Sequence, residues 1–316
     1  MSNNVPYRQV VVNTHAFAIM AHDHFDLCES LIRLVEHPRA FVVLHLNVDN
    51  GAEVIEKHPL LGSARLIPRT EVHWGQYDLL KVQLNLLHAA VEEGCDYVHL
   101  ISGKDLPLRP VDEIMDYVDA RDGTEFLAIN PPKRAAEIKP RVSRYWSERL
   151  LDGKVTAGPR GVAMRAAQQA SVSVQGRLGV DRTRRWGREA QTGAAWFSVT
   201  SQLARHFVNR IDWANHHLRK TFVPEEFFWA TMACDSPRRE YLEPESPPYY
   251  ANLRHIRWPE GERGHPHTWR MADLPELAAS PNMFARKFDP SVDAEVVAEV
   301  VRLAEGKGRA EVTSRS

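Results

Sequence analysis

Short apolar runs alternate with longer amphipathic stretches through the first third of the chain. AFAIMA at Ala16–Ala21 is a continuous apolar run of strand length. Phe25–Glu36 then sets Leu27, Cys28, Leu31, Leu34 and Val35 at helical spacing. FVVLHL at Phe41–Leu46 is again strand-like; Gly51–His58 predicts a short helix and Ala64–Ile67 a short strand. Gln76–Glu93 carries Leu79, Leu80, Val82, Leu84, Leu86, Leu87 and Val91, a long and mostly buried helix that stops at Gly94. Tyr97–Ile101 predicts the next strand and Val111–Asp119 the next helix. Wholly apolar strands alternating with helices imply a Rossmann-like α/β fold, a mostly parallel sheet with helices on both faces.

The pattern changes after Pro131-Pro132. Residues 130–190 are rich in Arg, Gly and Ser and predict long loops with irregular helices. Ala194–Val199 (AAWFSV) restores a strand. Ser201 is placed to cap a helix over Gln202–Asn209, and Pro224 to start another running through Met232. The many prolines of 236–290 predict ordered loops, Pro290–Ala304 a closing amphipathic helix, and 307–316 a frayed tail.

Composition narrows the function classes. A chain of 316 residues, 43% hydrophobic, can bury a sizeable core as one large domain or two small ones. Lys and Arg total 40 against 41 Asp and Glu, a net charge of -1, which argues against a general nucleic-acid binder. Three widely separated cysteines with no CxxC spacing fit reduced thiols in the cytoplasm. The first 13 residues lack the pattern of a signal peptide, and no run of about 18 apolar residues predicts a membrane span. Peripheral contact at the inner face of a membrane stays open.

The chemistry gathers at strand ends. Ligands of open α/β sheets bind beyond the carboxyl ends of the strands. Asp49 follows FVVLHL there, and Asp105 follows Tyr97–Ile101 in LISGKDLPL. Neither GxGxxG nor a Walker loop is present, so a nucleotide would have to bind by other means. His22-Asp23-His24 and the His-Pro-His run at 265–267 have metal-ligating residue types. Neighbours on a loop rarely converge on one ion, however, and hydrogen bonding is the plainer expectation. In VPEEFFWAT, Glu225 and Glu226 open a helix, where either complements its dipole. A carboxylate beside Phe227, Phe228 and Trp229 can also be desolvated, which raises its pKa and suits it to general-base work. Arg182, Arg184, Arg185 and Arg188 around Trp186 have the composition to grip an anionic acceptor or a lipid surface, or to be a solvated loop. Arg270 and the Arg286-Lys287 pair are late-loop cations, solvent-facing or folded back to neutralise a diphosphate.

Together these pieces resemble the core-2/I-branching β-1,6-N-acetylglucosaminyltransferase family, whose broader group includes peptide O-xylosyltransferases. The resemblance runs from about Ala16 to Asp293. It rests on the first strand with His22, the strand ending at Asp49, HWG at 73–75, LISGKDLPL, TGAAWFSVT at 192–200, VPEEFFWAT and ARKFDPSVD at 285–293. It implies a GT-A glycosyltransferase fold, 1–306, with a nucleotide-binding half at about 8–130 and an acceptor and catalytic half at about 131–306. It implies inverting, metal-independent transfer of a sugar, N-acetylglucosamine first, from a UDP-sugar to a hydroxyl of a glycan or glycolipid acceptor. Glu226 matches the catalytic base, and Lys287 and Arg270 match cations that bind the diphosphate in place of a metal. Ala21, His22 and Asp49 would hold uridine, and Asp105 would bond donor-sugar hydroxyls. Trp74 and Gly103 complete the donor-binding set. Glu125 and Arg144 are acceptor-side candidates. The resemblance also suggests a bacterial cytoplasmic enzyme acting on a capsule or lipopolysaccharide precursor. The alternatives are xylosyl transfer on the same fold, a non-catalytic UDP-sugar or carbohydrate binder, and a metal hydrolase built on His22, Asp23 and His24.

Overall fold

The computed structural model describes residues 13–147, 158–244, 251–259 and 266–307. The tail expected over 307–316 falls outside these apart from Lys307, as does His265. Strands and helices alternate from the start: β1 (His15–Ala21), α1 (Phe25–Leu34), β2 (Ala40–Leu46), α2 (Gly51–Lys57), β3 (Arg65–Leu66), α3 (Tyr77–Glu93) and β4 (Tyr97–Ser102). Then follow β5 (Asp105–Pro107), α4 (Val111–Asp119), α5 (Pro132–Ile138), α6 (Pro140–Ser143) and α7 (Gly158–Arg177). After these come β6 (Phe197–Thr200), α8 (Ser201–Val208), α9 (Ile211–His217) and α10 (Glu225–Cys234). The described chain closes with β7 (Arg254–Ile256), α11 (Leu274–Ala279), β8 (Phe284–Arg286) and α12 (Ala294–Ala304).

The main sheet has the order β3-β2-β1-β4-β6. Its first four strands are parallel, and β6 is antiparallel to β4. Strand alternation sorts the core. Ala16, Ala18 and Met20 of β1 face a cluster with α3, α8 and α10, while Phe17, Ile19 and Ala21 face a second with α1, α4 and α12. With both faces covered, β1 and β4 have no use for polar alternation, which is why they read as continuous apolar runs. This is the mixed α/β, mostly parallel architecture expected of a GT-A-like glycosyltransferase fold. No helix among the described residues is long and apolar enough to cross a membrane.

Four expectations need correction. Residues 236–290 are not loops alone: β7 and β8 join β5 in a second, three-stranded sheet of order β5-β8-β7. Strands of three residues are too short to show a period. The middle segment holds a 20-residue helix, α7, in which only Gly161 and Gln168 are buried, so no apolar face announces it. The cap of α8 is Thr200, whose side chain accepts from the Leu203 N–H, rather than Ser201. Glu125 and Arg144 are structural. Glu125 is fully buried and accepts from the Thr200 N–H and hydroxyl and from Arg238. Arg144 donates to the Val180 carbonyl.

A polar chain crosses the sheet interior. Asp119 meets His15 (3.1 Å), His15 meets His99 (3.0 Å), and His99 meets the Ser198 hydroxyl (2.7 Å), which also accepts from buried Arg254. Burial lowers the pKa of both imidazoles. A histidine kept neutral when folded loses stability as pH falls below its unfolded value, because only the unfolded chain then takes up the proton. For His99, whose pKa lies well below its ordinary value, this amounts to about 1.4 kcal/mol between pH 7.5 and 5.5. Urea unfolding of His99→Gln should show a smaller loss across that interval than the wild type; an unchanged loss would contradict the buried neutral ring.

Candidate active site

The carboxyl ends of β1, β2 and β4 lie side by side. The Asn47 N–H donates to the Ala21 carbonyl (2.8 Å) and the Gly103 N–H to the Met20 carbonyl (2.7 Å). Gly103 is tied by sterics, since a Cβ there would lie 2.9 Å from that of Ala21. Three cations gather at this edge. The Lys104 ammonium lies 2.7 Å from Asp23 and 3.5 Å from Asp289. The Arg286 guanidinium sits over the Trp196 ring, 4.9 Å from its centroid. Lys287 is part-buried, and burial together with Lys104 and Arg286 lowers its pKa. It forms no ion pair among the described residues. Asp289 and Asp23 pull the other way but do not outweigh burial and the two cations, and a lysine so crowded marks a place where an anion would be favoured. His22 stands in the same field: burial, Lys104 and Arg286 lower its pKa against the pull of Asp23.

Asp105 is not the exposed hook that the resemblance implied. It is fully buried; one oxygen accepts from the Ser102 N–H (3.0 Å) and the other from Arg286 (2.8 Å). Its register opposite Arg286 in the β5-β8 pair puts both oxygens on protein donors. Asp105 therefore aims Arg286, a cation that its neighbour Lys287 overshadowed in the sequence. Lys104 was missed although it stands inside SGKDLPL. Arg270 is exposed and acts on Asp293. Its neighbours in the chain reach Lys287 by their backbone: the Trp269 backbone N–H donates to the Lys287 carbonyl (3.1 Å), and the His267 carbonyl accepts from the Lys287 N–H (3.4 Å). Asp49 projects from the strand end with its side chain 99% exposed and pairs with Arg69 (2.6 Å). Asn47, meanwhile, is bonded in both directions to the Val72 backbone. Among the described residues no three metal-ligating side chains converge; His24 contacts Asp289 and Asp23 takes the Lys104 ammonium.

A second group surrounds Glu226, at the start of α10. Its Oε2 accepts from Arg141 (2.8 Å), and 29% of the side chain remains open to solvent. The carboxylate is nonetheless hemmed in: desolvation raises its pKa against the opposing pull of Arg141 and Arg134. Glu225 is buried beside it, with one oxygen lacking a partner. Burial first, and then the Glu226 charge, push its pKa up to about 8, so Glu225 is protonated at neutral pH. The backbone leading into this pair is strained. Val223 has φ +55 while its N–H donates to the Gly75 carbonyl (2.9 Å). A β-branched residue in that region costs about 1–3 kcal/mol. Gly75 has φ +79 and no room for a Cβ against Phe222. Phe222 carries Trp74 on one side, edge-on at 5.5 Å, and Trp146 stacked at 5.0 Å. Trp74 is 56% exposed, an aromatic surface beside the carboxylate group.

One stretch of chain joins the two groups. The Gly193 N–H donates to the Glu226 carbonyl (2.8 Å), and Trp196 carries Arg286. Three residue steps span at most about 11 Å. Gly193 is obligatory, since a Cβ there would lie 2.3 Å from the Ala128 carbonyl oxygen. The arginines around Trp186 divide: Arg182 donates to the Lys220 and His217 carbonyls and Arg188 pairs with Asp235, whereas Arg184 and Arg185 are exposed.

The family described as Core-2/I-Branching enzyme matches residues 15–279. An N-acetyllactosaminide beta-1,6-N-acetylglucosaminyl-transferase of Mus musculus is 23% identical over 295 residues, covering 87% of this chain and 68% of the relative. The beta-glucuronosyltransferase GlcAT14A of Arabidopsis thaliana is 25% identical over 300 residues, covering 86% of this chain and 61% of the relative. The chain thus spans about two thirds of the length of these relatives. With the family match running from β1 through α11, the chain belongs to the Core-2/I-branching family of glycosyltransferases.

Proposed function

We propose that this chain is an inverting glycosyltransferase that moves a sugar from a UDP-sugar to a hydroxyl of a glycan acceptor without a divalent metal. N-acetylglucosamine is the first candidate, following the murine relative's name, and glucuronic acid the second, following the plant relative's. The observation that carries the reading is the pairing of one solvent-accessible, pKa-raised carboxylate with a cation cluster through Gly193–Trp196.

In this mechanism the acceptor O–H gives its proton to Glu226 while its oxygen bonds the anomeric carbon. The opposite bond, from that carbon to the diphosphate oxygen, breaks, and its electron pair leaves with UDP. Lys287, with Lys104 and Arg286 beside it, offsets the charge that grows on the diphosphate. Arg270 would approach the same group from the exposed side. Ala21, His22 and Asp49, at neighbouring strand ends, are proposed to hold uridine, with Gly103 closing the seam and Trp74 offering a ring face to a sugar. Protonated Glu225 leaves Glu226 as the one charged member of the pair. The setting proposed is the cytoplasm, where the unpaired Cys28, Cys95 and Cys234 would stay reduced.

Glu226→Gln keeps the shape and removes the base, so turnover should fall by about 10²–10⁴-fold with UDP affinity little changed; near-normal turnover would remove Glu226 from the role. The kcat/KM profile should fall as pH drops through a midpoint above that of an ordinary glutamate. Lys287→Ala should weaken UDP binding by about ten- to a hundredfold by calorimetry. EDTA should leave the wild-type affinity unchanged, and a requirement for added Mn²⁺ or Mg²⁺ would contradict the metal-free reading. Glu225, whose folded pKa of about 8 lies above its ordinary 4.5, costs stability as pH rises through that window. Glu225→Gln should therefore flatten the loss of urea stability between about pH 4.5 and 8, an effect on the order of a few kcal/mol. An identical pH dependence in wild type and variant would show that Glu225 is already ionised.

A further inference from the structure

Charge is distributed unevenly along this nearly neutral chain. Residues 131–188 hold 14 of the 40 Lys and Arg but only four of the 41 Asp and Glu. That run is therefore +10, and the remaining 26 basic and 37 acidic residues leave everything else at -11. Among the described residues of this run Lys133, Arg134, Lys139, Arg184 and Arg185 are exposed, while Arg141, Arg144, Arg182 and Arg188 are part-buried. Helix α7 carries Arg160, Arg165 and Arg177, all exposed, and no acidic residue. It is fastened to the chain that follows α6: the Gln168 side chain accepts from the Ser147 N–H, and Gln175 bonds both ways with the Tyr145 backbone. At its inner end the basic segment reaches the proposed base, where Arg141 donates to Glu226 and Arg134 adds its field. The positive surface therefore runs from the carboxylate outward.

We propose that the basic side chains of 131–147 and 158–188 bind the acceptor and that the acceptor is an anionic glycan. This rests on the reading of Glu226 as the base. A negatively charged sugar chain brought to a carboxylate base is repelled unless cations intervene; Arg141 and Arg134 stand at that point, and the outer arginines raise the local concentration of such a chain. A lipid surface fits less well. A helix that lies in a bilayer interface needs one apolar face, whereas the exposed Val174 and Leu178 lie about 120° and 160° around the helix from Val162.

The test titrates the whole protein with an oligogalacturonate, with its carboxyl-reduced neutral counterpart, and with phosphatidylglycerol vesicles. The oligogalacturonate should bind and the neutral chain should not. The triple variant R160Q/R165Q/R177Q, and separately Arg134→Gln, should weaken binding, the triple by about tenfold, as should high salt. Lys287→Ala should leave this binding intact while weakening UDP, which separates a failure here from a failure of the donor site. Absence of oligogalacturonate binding, equal binding of the neutral chain, indifference to either variant, or preference for the vesicles would each overturn the proposal.

Discussion

The buried pair between Asp105 and Arg286 organises the site. It joins β5 to β8, and with them the segment after β4 to the far end of the chain. Removing one partner of such a pair strands a charge away from water at a cost of about 3–5 kcal/mol. Its effect reaches further than stability. Asp105 is also bonded to the Ser102 N–H, so Arg286 is referenced to the carboxyl end of the main sheet. Arg286 lies on Trp196, three residues from the backbone that holds Glu226. A strand-tip carboxylate thus fixes a cation on the stretch of chain whose other end is bonded to the Glu226 backbone.

The carboxylates that remain near the surface are differentiated by environment. Glu226 keeps access to solvent and a guanidinium partner, and its pKa rises by desolvation. Glu225 has neither access nor a full set of partners and takes up a proton instead. Two adjacent glutamates so meet different environments. The strained Val223 and the cramped Gly75 lie on the approach to this pair, which is where stored backbone strain is expected if geometry matters to the chemistry.

Much of the architecture was legible in the sequence because the main strands are doubly covered and the long helices have one apolar face. Strand ends, and hence the edge carrying Ala21, Asp49 and Gly103, followed from that pattern. What escaped were features without a period. The three-residue strands β7 and β8 sit among prolines, and α7 is exposed nearly all round. Asp105 was read at the right place with the wrong orientation, because sequence spacing does not say whether a strand-tip side chain points outward or is met by a later strand. Lys104 and Arg141 were overlooked since a lone cation looks solvated until its partners, Asp23 and Glu226, are seen beside it. The charge division at 131–188 was present in the sequence throughout, masked by the near-zero total.

Base and cations would serve one reaction only if they face one ligand. A crystal structure with UDP bound tests this most directly. The account predicts the diphosphate against Lys287, with its free end, where the sugar would be attached, directed toward Glu226. A nucleotide seated elsewhere, or with its phosphates turned away from the Gly193–Trp196 stretch, would contradict it.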